Sequence, residues 1–596
     1  MNKILIAFFA FTVALSAQAQ DYNKRLKGLD KELNGLLETC NTAGFAVAVV
    51  KNDQVLYAKG FGYRDYENKI PADENTLFGI GSCTKAFTAS ILGLLREEDK
   101  LSFEDRPADY IPGFKFYNDE MNQLITIKDM MCHRTGLPRH DWSWYFFPTD
   151  SRDLLLKRVE YHEPFTGVRR RWYYNNFMYL AQGVIAEKIT GKSWEENIAE
   201  RFFVPLGMER SNATLVELEA AENASLGYTV GNDNKIKKEE YYRVAGMAPA
   251  GSINSSVTDM AKWLSVWINN GEHKGESFLP QYYVQEATGS QMIISSSGPD
   301  AKHPDLHFGT YGFGWMMSSY KGHYRVEHGG NIDGFSANVA FFPSDSVGII
   351  VLTNQTASSV TSLARNMIAD RLLDVEKTAW IEEYTEGQAK AEEAKEEMTT
   401  NQQVKDRVPS AHKLQDFIGS YENLGYGVFD VVLRNDSLFA EFPIETFWLR
   451  HDGYDIFEPF WVHETGIDTT ETGPTRMNFS TGNSGEINAV SMLMEETLDP
   501  IEFKHKPKEI EVSETDLQKY TGAYDLMGTE IKVYTKGDVL YVLVPGQPEY
   551  ELQATEPNKF ILTIVEGYSV EFIEENEQVK EIMFVQPNGT FKGDKK

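Results

Sequence analysis

Cysteine is scarce: Cys40, Cys83 and Cys132 are the only three among 596 residues. A set this small and odd excludes a disulfide framework, and the lack of Cys-x-x-C excludes the usual zinc and dithiol motifs. A single disulfide stays open, with no spacing to choose its partners, and Cys83 reads as a packing residue. Positive charge is also short. Lys and Arg total 58 against 88 Asp and Glu, a formal net charge of -30. Such a surface repels phosphate backbones, so no nucleic-acid partner is expected, and the acidity reads as solubility. Long apolar runs are missing after the first residues, so no integral membrane segment is expected in the mature chain. The one early run, Ile4 to Leu15, follows Lys3 and precedes Ala17-Gln18-Ala19. A charged start, a short apolar core and an Ala-x-Ala site read as a secretory signal over 1–19. No cysteine follows it that could carry a lipid anchor. The expected location is periplasmic or extracellular.

The rest has globular composition, 42% hydrophobic and 12% aromatic, and is too long for one core. Phe45 to Val50 reads as a buried strand, and Val55 to Ala58 returns after a polar turn. After Ser82, Phe87, Ile91, Leu94 and Leu95 recur at helical spacing, which predicts a buried helix to about Glu97. Tyr324–Glu327, Phe335–Phe342 and Val347–Leu352 are strand-like, and a helix is expected from Val360 to Leu373. Strands from both ends around a helical middle predict an α+β domain, one antiparallel sheet covered by helices, over 20–378. Residues 379–412 are rich in Glu, Lys, Ala and Gln and read as a solvated helical linker. Beyond it, Leu414-Gln415-Asp416-Phe417-Ile418-Gly419-Ser420-Tyr421 is echoed by Leu517-Gln518-Lys519-Tyr520-Thr521-Gly522-Ala523-Tyr524. The echo continues through paired strand-like runs, so two small all-β units are expected, 413–508 and 509–596.

A serine hydroxyl becomes a nucleophile only with a base in contact and donors for the oxyanion. Ser82-x-x-Lys85 supplies a base on the same helical face, and the helix N-terminus favours negative charge there. Ser318 to Lys321 and Ser410 to Lys413 share the spacing, but neither opens an apolar helix. Tyr174-x-Asn176 offers a second proton carrier. It too is one of several such pairs, as Tyr66 to Asn68 and Tyr421 to Asn423 show. His328-Gly329-Gly330-Asn331 lies between strand-like runs. Its glycines allow close backbone approach, and the N–H of Asn331 is a candidate partner for that of Ser82 in an oxyanion hole. His303 and His307 have helical spacing, but Pro304 opposes a helix, and no metal is expected. Arg169, Arg170 and Arg171 read as loop anchors or as a carboxylate clamp. Tyr311 to Trp315 read as core strand or cleft wall.

Taken in order, Ser82-x-x-Lys85, Tyr174-x-Asn176 and His328-x-Gly330 resemble the serine β-lactamase and penicillin-binding-protein superfamily, in its class C-like branch of D-aminopeptidases, esterases and related peptidases. His133-Arg134-Thr135-Gly136-Leu137-Pro138 and the stretch Gly251 to Ala261 resemble further motifs of that branch. The resemblance covers about Thr42 to Asp374. It implies an acyl-enzyme on Ser82, with Lys85 and Tyr174 moving protons, His328 in the catalytic set, and Asn176, Gly330 and Asn331 binding substrate. Which of Lys85 and Tyr174 is the base stays open. His328 stands where true class C enzymes and penicillin-binding proteins usually carry lysine. Being largely neutral near pH 7, it lacks the permanent cation that draws a β-lactam carboxylate, so efficient β-lactam hydrolysis is not expected. The all-β tail resembles the lipocalin-like barrels that follow the catalytic domain in bacterial D-aminopeptidases. It could shape the cleft, bind a ligand or stabilise the chain.

The expected activity is serine hydrolysis of a small peptide amide or ester, D-residues included, without a cofactor. An esterase, or a penicillin-binding sensor that acylates and turns over slowly, is the alternative. A small molecule or peptide is the expected substrate partner, and the oligomeric state is not predicted.

Overall fold

The computed structural model describes residues 22 and 24–596, apart from 232, 244, 296–297, 401–407, 483–484, 507–509, 563–567, 577 and 587–588. The expected secretory signal lies outside the described residues. The chain divides into two compact units, 1–404 and 405–596.

The first unit is built on a nine-stranded antiparallel sheet. Its strands are β1 (Gly44–Lys51), β2 (Gln54–Asp65), β3 (Ile70–Pro71), β4 (Met292–Ile293), β5 (Thr310–Tyr311), β6 (Met316–Tyr320), β7 (His323–Ile332), β8 (Phe335–Phe342) and β9 (Val347–Thr353). They lie in the order β4-β5-β6-β7-β8-β9-β1-β2-β3, so the first strands of the chain pair with the last. The principal helices are α1 (Leu29–Thr39), α2 (Thr84–Glu97), α3 (Asn176–Thr190), α4 (Val257–Ile268), α5 (Val360–Leu372) and α6 (Trp380–Thr400).

The continuous apolar run of β1 follows from burial on both faces. Phe45, Val47 and Val49 enter one core with Leu29, Leu33 and Leu36 of α1 and Ile368 of α5. The alternate residues Ala46, Ala48 and Val50 enter the other with Phe87 of α2 and Trp263 of α4. Small residues on that second face let the helices approach closely. Phe87 stacks on Trp263 with ring centroids 4.0 Å apart, and the core side chains of α2 are buried nearly all round.

Three expectations change in detail. The predicted helix at Ser82 begins as a 3-10 turn, Gly81–Cys83, and becomes α-helical only at Thr84, because Gly81 enters with φ +49°. His328 to Asn331 do not separate two strands but belong to β7. The solvated linker begins with an anchored turn: Trp380 is buried, and its indole N–H donates to Asp370 at 2.9 Å. Cys40, Cys83 and Cys132 are all buried free thiols.

The second unit holds two eight-stranded barrels. In the first, the strand order closes when Thr446–Gly453 pairs with Ile456–His463, and Gly466–Thr472 adds to the outside of the latter. In the second, Gly522–Leu526 pairs with Gly589–Lys595 to close the ring. The repeated sequence opens each barrel in the same way. A short helical turn leads into the first strand, and the strand's tyrosine ties back to it: Tyr421 donates to the Phe417 carbonyl at 2.8 Å and Tyr524 to the Tyr520 carbonyl at 2.7 Å. Both tyrosines are fully buried, so losing the hydroxyl strands a buried carbonyl. Tyr421→Phe and Tyr524→Phe should each cost the affected barrel about 1–3 kcal/mol. Hydrogen exchange on the full-length protein should show faster exchange in that barrel and none in the first unit.

Candidate active site

The site forms where three segments meet: the turn before α2, the start of α3 and strand β7. Gly81 takes a left-handed conformation that a side chain would oppose, and a Cβ there would also lie 2.8 Å from the Asn331 nitrogen. From the other side, a Cβ on Gly330 would collide with the Ile80 carbonyl and come within 3.0 Å of the Ser82 nitrogen. Two missing side chains thus let β7 lie directly against the turn that carries Ser82. The Cys83 thiol donates to the His328 carbonyl at 3.2 Å across the same contact.

Ser82 is half-buried, whereas Lys85 is fully buried. The Lys85 amine is 3.0 Å from Ser82 Oγ, 2.8 Å from Asn176 Oδ1 and 2.7 Å from the Ala250 carbonyl. Asn176 is oriented by its other end, which donates to Asp141 Oδ1 at 2.9 Å. A carboxylate cannot donate, so this contact fixes which Asn176 atom faces Lys85. Asn175 caps α3, accepting from the Met178 N–H at 3.1 Å, and so sets the helix start that presents Asn176. Burial, with Arg139 adding repulsion, holds the Lys85 amine well below the usual lysine range.

Tyr174 packs its ring 4.8 Å from the Lys85 nitrogen. Its hydroxyl is buried without a hydrogen bond of normal geometry. Burial pushes its acidity well out of the usual phenol range, although the nearby Ser82 hydroxyl opposes the shift. The resting phenol is therefore protonated.

His328 is buried and fixed at both ends. Its Nδ1 is 2.6 Å from the Gly329 carbonyl and its Nε2 is 3.0 Å from the Tyr311 hydroxyl. A carbonyl only accepts, so Nδ1 carries the proton and Nε2 accepts from Tyr311. The motif puts His328 in the catalytic set, but neither ring nitrogen can reach a substrate without giving up one of these bonds. Tyr311, readable in the sequence as core or cleft wall, is a buried residue that orients His328. His133 completes the cluster, with its ring centroid 4.4 Å from that of Tyr174 and 4.8 Å from that of Tyr311. Its Nδ1 accepts from the Asn175 N–H at 3.2 Å.

Arg169, His303 and His307 make structural contacts. Arg169 binds the buried Asp129 at 2.7 Å together with Arg134 at 2.6 Å, which makes it a loop anchor. His303 pairs with Glu383 at 2.9 Å, and His307 with the Pro304 carbonyl at 3.0 Å. Sequence reasoning missed Asp141 and Arg139, which touch the site through Asn176 and Tyr174. Their only signal was proximity to the His133–Pro138 motif.

The β-lactamase family matches residues 29–372. The chain belongs to the β-lactamase family. Residues 403–505 match a domain of unknown function, DUF3471. Among relatives, the chain is 26% identical over 381 residues to the unguisins hydrolase ungD of Aspergillus violaceofuscus, covering 60% of this chain and 67% of that protein. It is 24% identical over 351 residues to protein flp of Staphylococcus aureus, covering 58% and 66%. The match therefore spans about two-thirds of these relatives' length. The octameric penicillin-binding protein homologue from Pyrococcus abyssi has the same fold, with TM-score 0.53 and 20% identity over 80% of this chain and 98% of that one. The chain is thus a β-lactamase-fold hydrolase family member.

The buried histidines carry a pH consequence. His328 and His140 are pulled from 6.5 down to about 4, mainly by burial, and His133 is likewise held well below 6.5 by burial. Below 6.5 the unfolded chain takes up protons that the folded one refuses, so stability falls as pH drops from about 6.5 towards 4. Melting temperatures measured across that range should fall steadily with acidity. His328→Gln and His140→Gln should each flatten the slope.

Proposed function

We propose that the protein is a serine hydrolase that cleaves a small peptide amide or ester, D-residues included, through an acyl-enzyme on Ser82. The contacts of Lys85 carry this reading. A neutral lysine has two N–H groups and one lone pair. Asn176 Oδ1 and the Ala250 carbonyl can only accept, so they take both N–H groups. The lone pair is left for the Ser82 hydroxyl at 3.0 Å. Burial favours that neutral form by lowering the amine's proton affinity.

On this reading the Ser82 proton passes to Lys85 as Oγ bonds to the substrate carbonyl carbon. Backbone N–H groups of Ser82 and Asn331 receive the oxyanion. Tyr174, protonated at rest, gives its proton to the leaving nitrogen or oxygen as that bond breaks, and Lys85 reprotonates it. Water then enters and reverses the proton path, releasing the acid and restoring Ser82. Asn176 orients Lys85 and the substrate amide, and Gly330 keeps β7 against the nucleophile. His328 acts by holding β7 and Tyr311 in place. Its neutrality leaves no fixed cation for a β-lactam carboxylate, which favours peptides and esters over β-lactams. The apolar N-terminal run supports export to the periplasm or beyond.

Ser82→Ala should lower kcat/KM for D-aminoacyl amides and p-nitrophenyl esters by at least about a thousandfold, and Lys85→Ala by a similar factor. Unchanged turnover in Ser82→Ala would sink the proposal. A labelled penicillin that stays stoichiometrically bound, with no turnover of any amide or ester, would replace it with the slow-acylating sensor.

A further inference from the structure

A small cavity lies beside the nucleophile turn. Gly79 and Gly251 line it on the side of that turn, where a Cβ on Gly251 would sit 3.7 Å from the Gly81 carbonyl carbon. Leu215, Tyr241 and Tyr242 form its walls, and Asp333, two residues beyond Asn331, reaches it from the end of β7. The tyrosine hydroxyls are spent elsewhere. Tyr241 donates to the Ser225 carbonyl and Tyr242 to the Trp144 and Tyr145 carbonyls. Tyr242 also stacks on Tyr145 at 4.6 Å and Tyr241 on Phe335 at 5.6 Å. The walls are therefore held rigidly and offer aromatic and aliphatic surface.

One charged group enters this lining. Asp333 Oδ2 accepts from the Tyr145 hydroxyl at 2.8 Å, and among the described residues no lysine or arginine forms an ion pair with it. Glu239 lies close enough to feel its charge, yet its own carboxylate is taken by the Thr356 hydroxyl and the Gly334 N–H. A half-buried carboxylate without a counter-ion, beside fixed aromatic rings, favours a compact cation with an apolar stem.

We propose that this cavity is the subsite for a primary ammonium group of the substrate, with Asp333 as its counter-charge. The proposal rests on the hydrolase reading and narrows it to short peptides or aminoacyl compounds with a free amine. Asp333 is then a specificity-determining residue, and it has no part in the bond-breaking steps.

Binding and turnover separate the two readings. Full-length Ser82→Ala protein is titrated with n-butylammonium and with n-butanol, its neutral counterpart. The ammonium should bind at least about tenfold more tightly, and Asp333→Asn on the same background should erase that preference while leaving n-butanol unchanged. Leu215→Lys, on a short surface helix, should also abolish ammonium binding by placing its own ammonium in the cavity. In the active protein, Asp333→Asn should cut the kcat/KM ratio of free-amino to N-acetylated substrates by about tenfold or more. No ammonium preference in the parent, or a preference that survives Asp333→Asn, overturns the subsite whatever the enzyme hydrolyses. Ammonium binding that depends on Asp333, in a protein that hydrolyses nothing, keeps the subsite and removes the hydrolase reading.

Discussion

A lysine buried without a carboxylate partner is expensive, and the organisation of the first unit follows from it. Lys85 sits where water cannot solvate it, so the neutral amine is the affordable form. Its polar atoms must still be satisfied, and the surrounding chain supplies acceptors of one kind only. Asn176 is presented by the capped start of α3, and Ala250 by the turn that precedes α4. Three segments far apart in sequence are thereby tied to one nitrogen. Burial lowers the proton affinity of this amine well below that of an ordinary lysine.

The same economy governs the neighbouring residues. Tyr174, His133, His328 and Tyr311 form a buried aromatic group in which burial suppresses charge on every member. A site made of neutral groups moves protons without leaving an isolated charge behind. Nearby charge lies on Arg139 and Asp141 and on Glu327, which is paired with Arg325 and Arg365.

The burial of β1 and β9 on both faces explains why so much of the fold could be read directly. Both faces of these strands are covered, which demands uninterrupted apolar runs, and such runs are visible in a sequence. The barrels were legible for another reason: the duplicated Leu-Gln start and its tyrosine serve the same internal hydrogen bond in each. Closure of each ring was not legible, because pairing between first and last strands is a long-range contact with no local signature.

Ser82, Lys85, Tyr174, Asn176 and His328 could be singled out as candidates from sequence because each belongs to a motif with short, fixed spacing. The class of fold was identifiable because hydrophobic periodicity is local. Only the tertiary structure decided how those motifs are used. It directs the Lys85 lone pair at Ser82 by filling its other positions, and it turns both nitrogens of His328 inward. It also brings Asp333 and two tyrosines to one cavity. Hydrogen-bond direction and burial depend on neighbours dozens to hundreds of residues away, and local spacing carries no record of them.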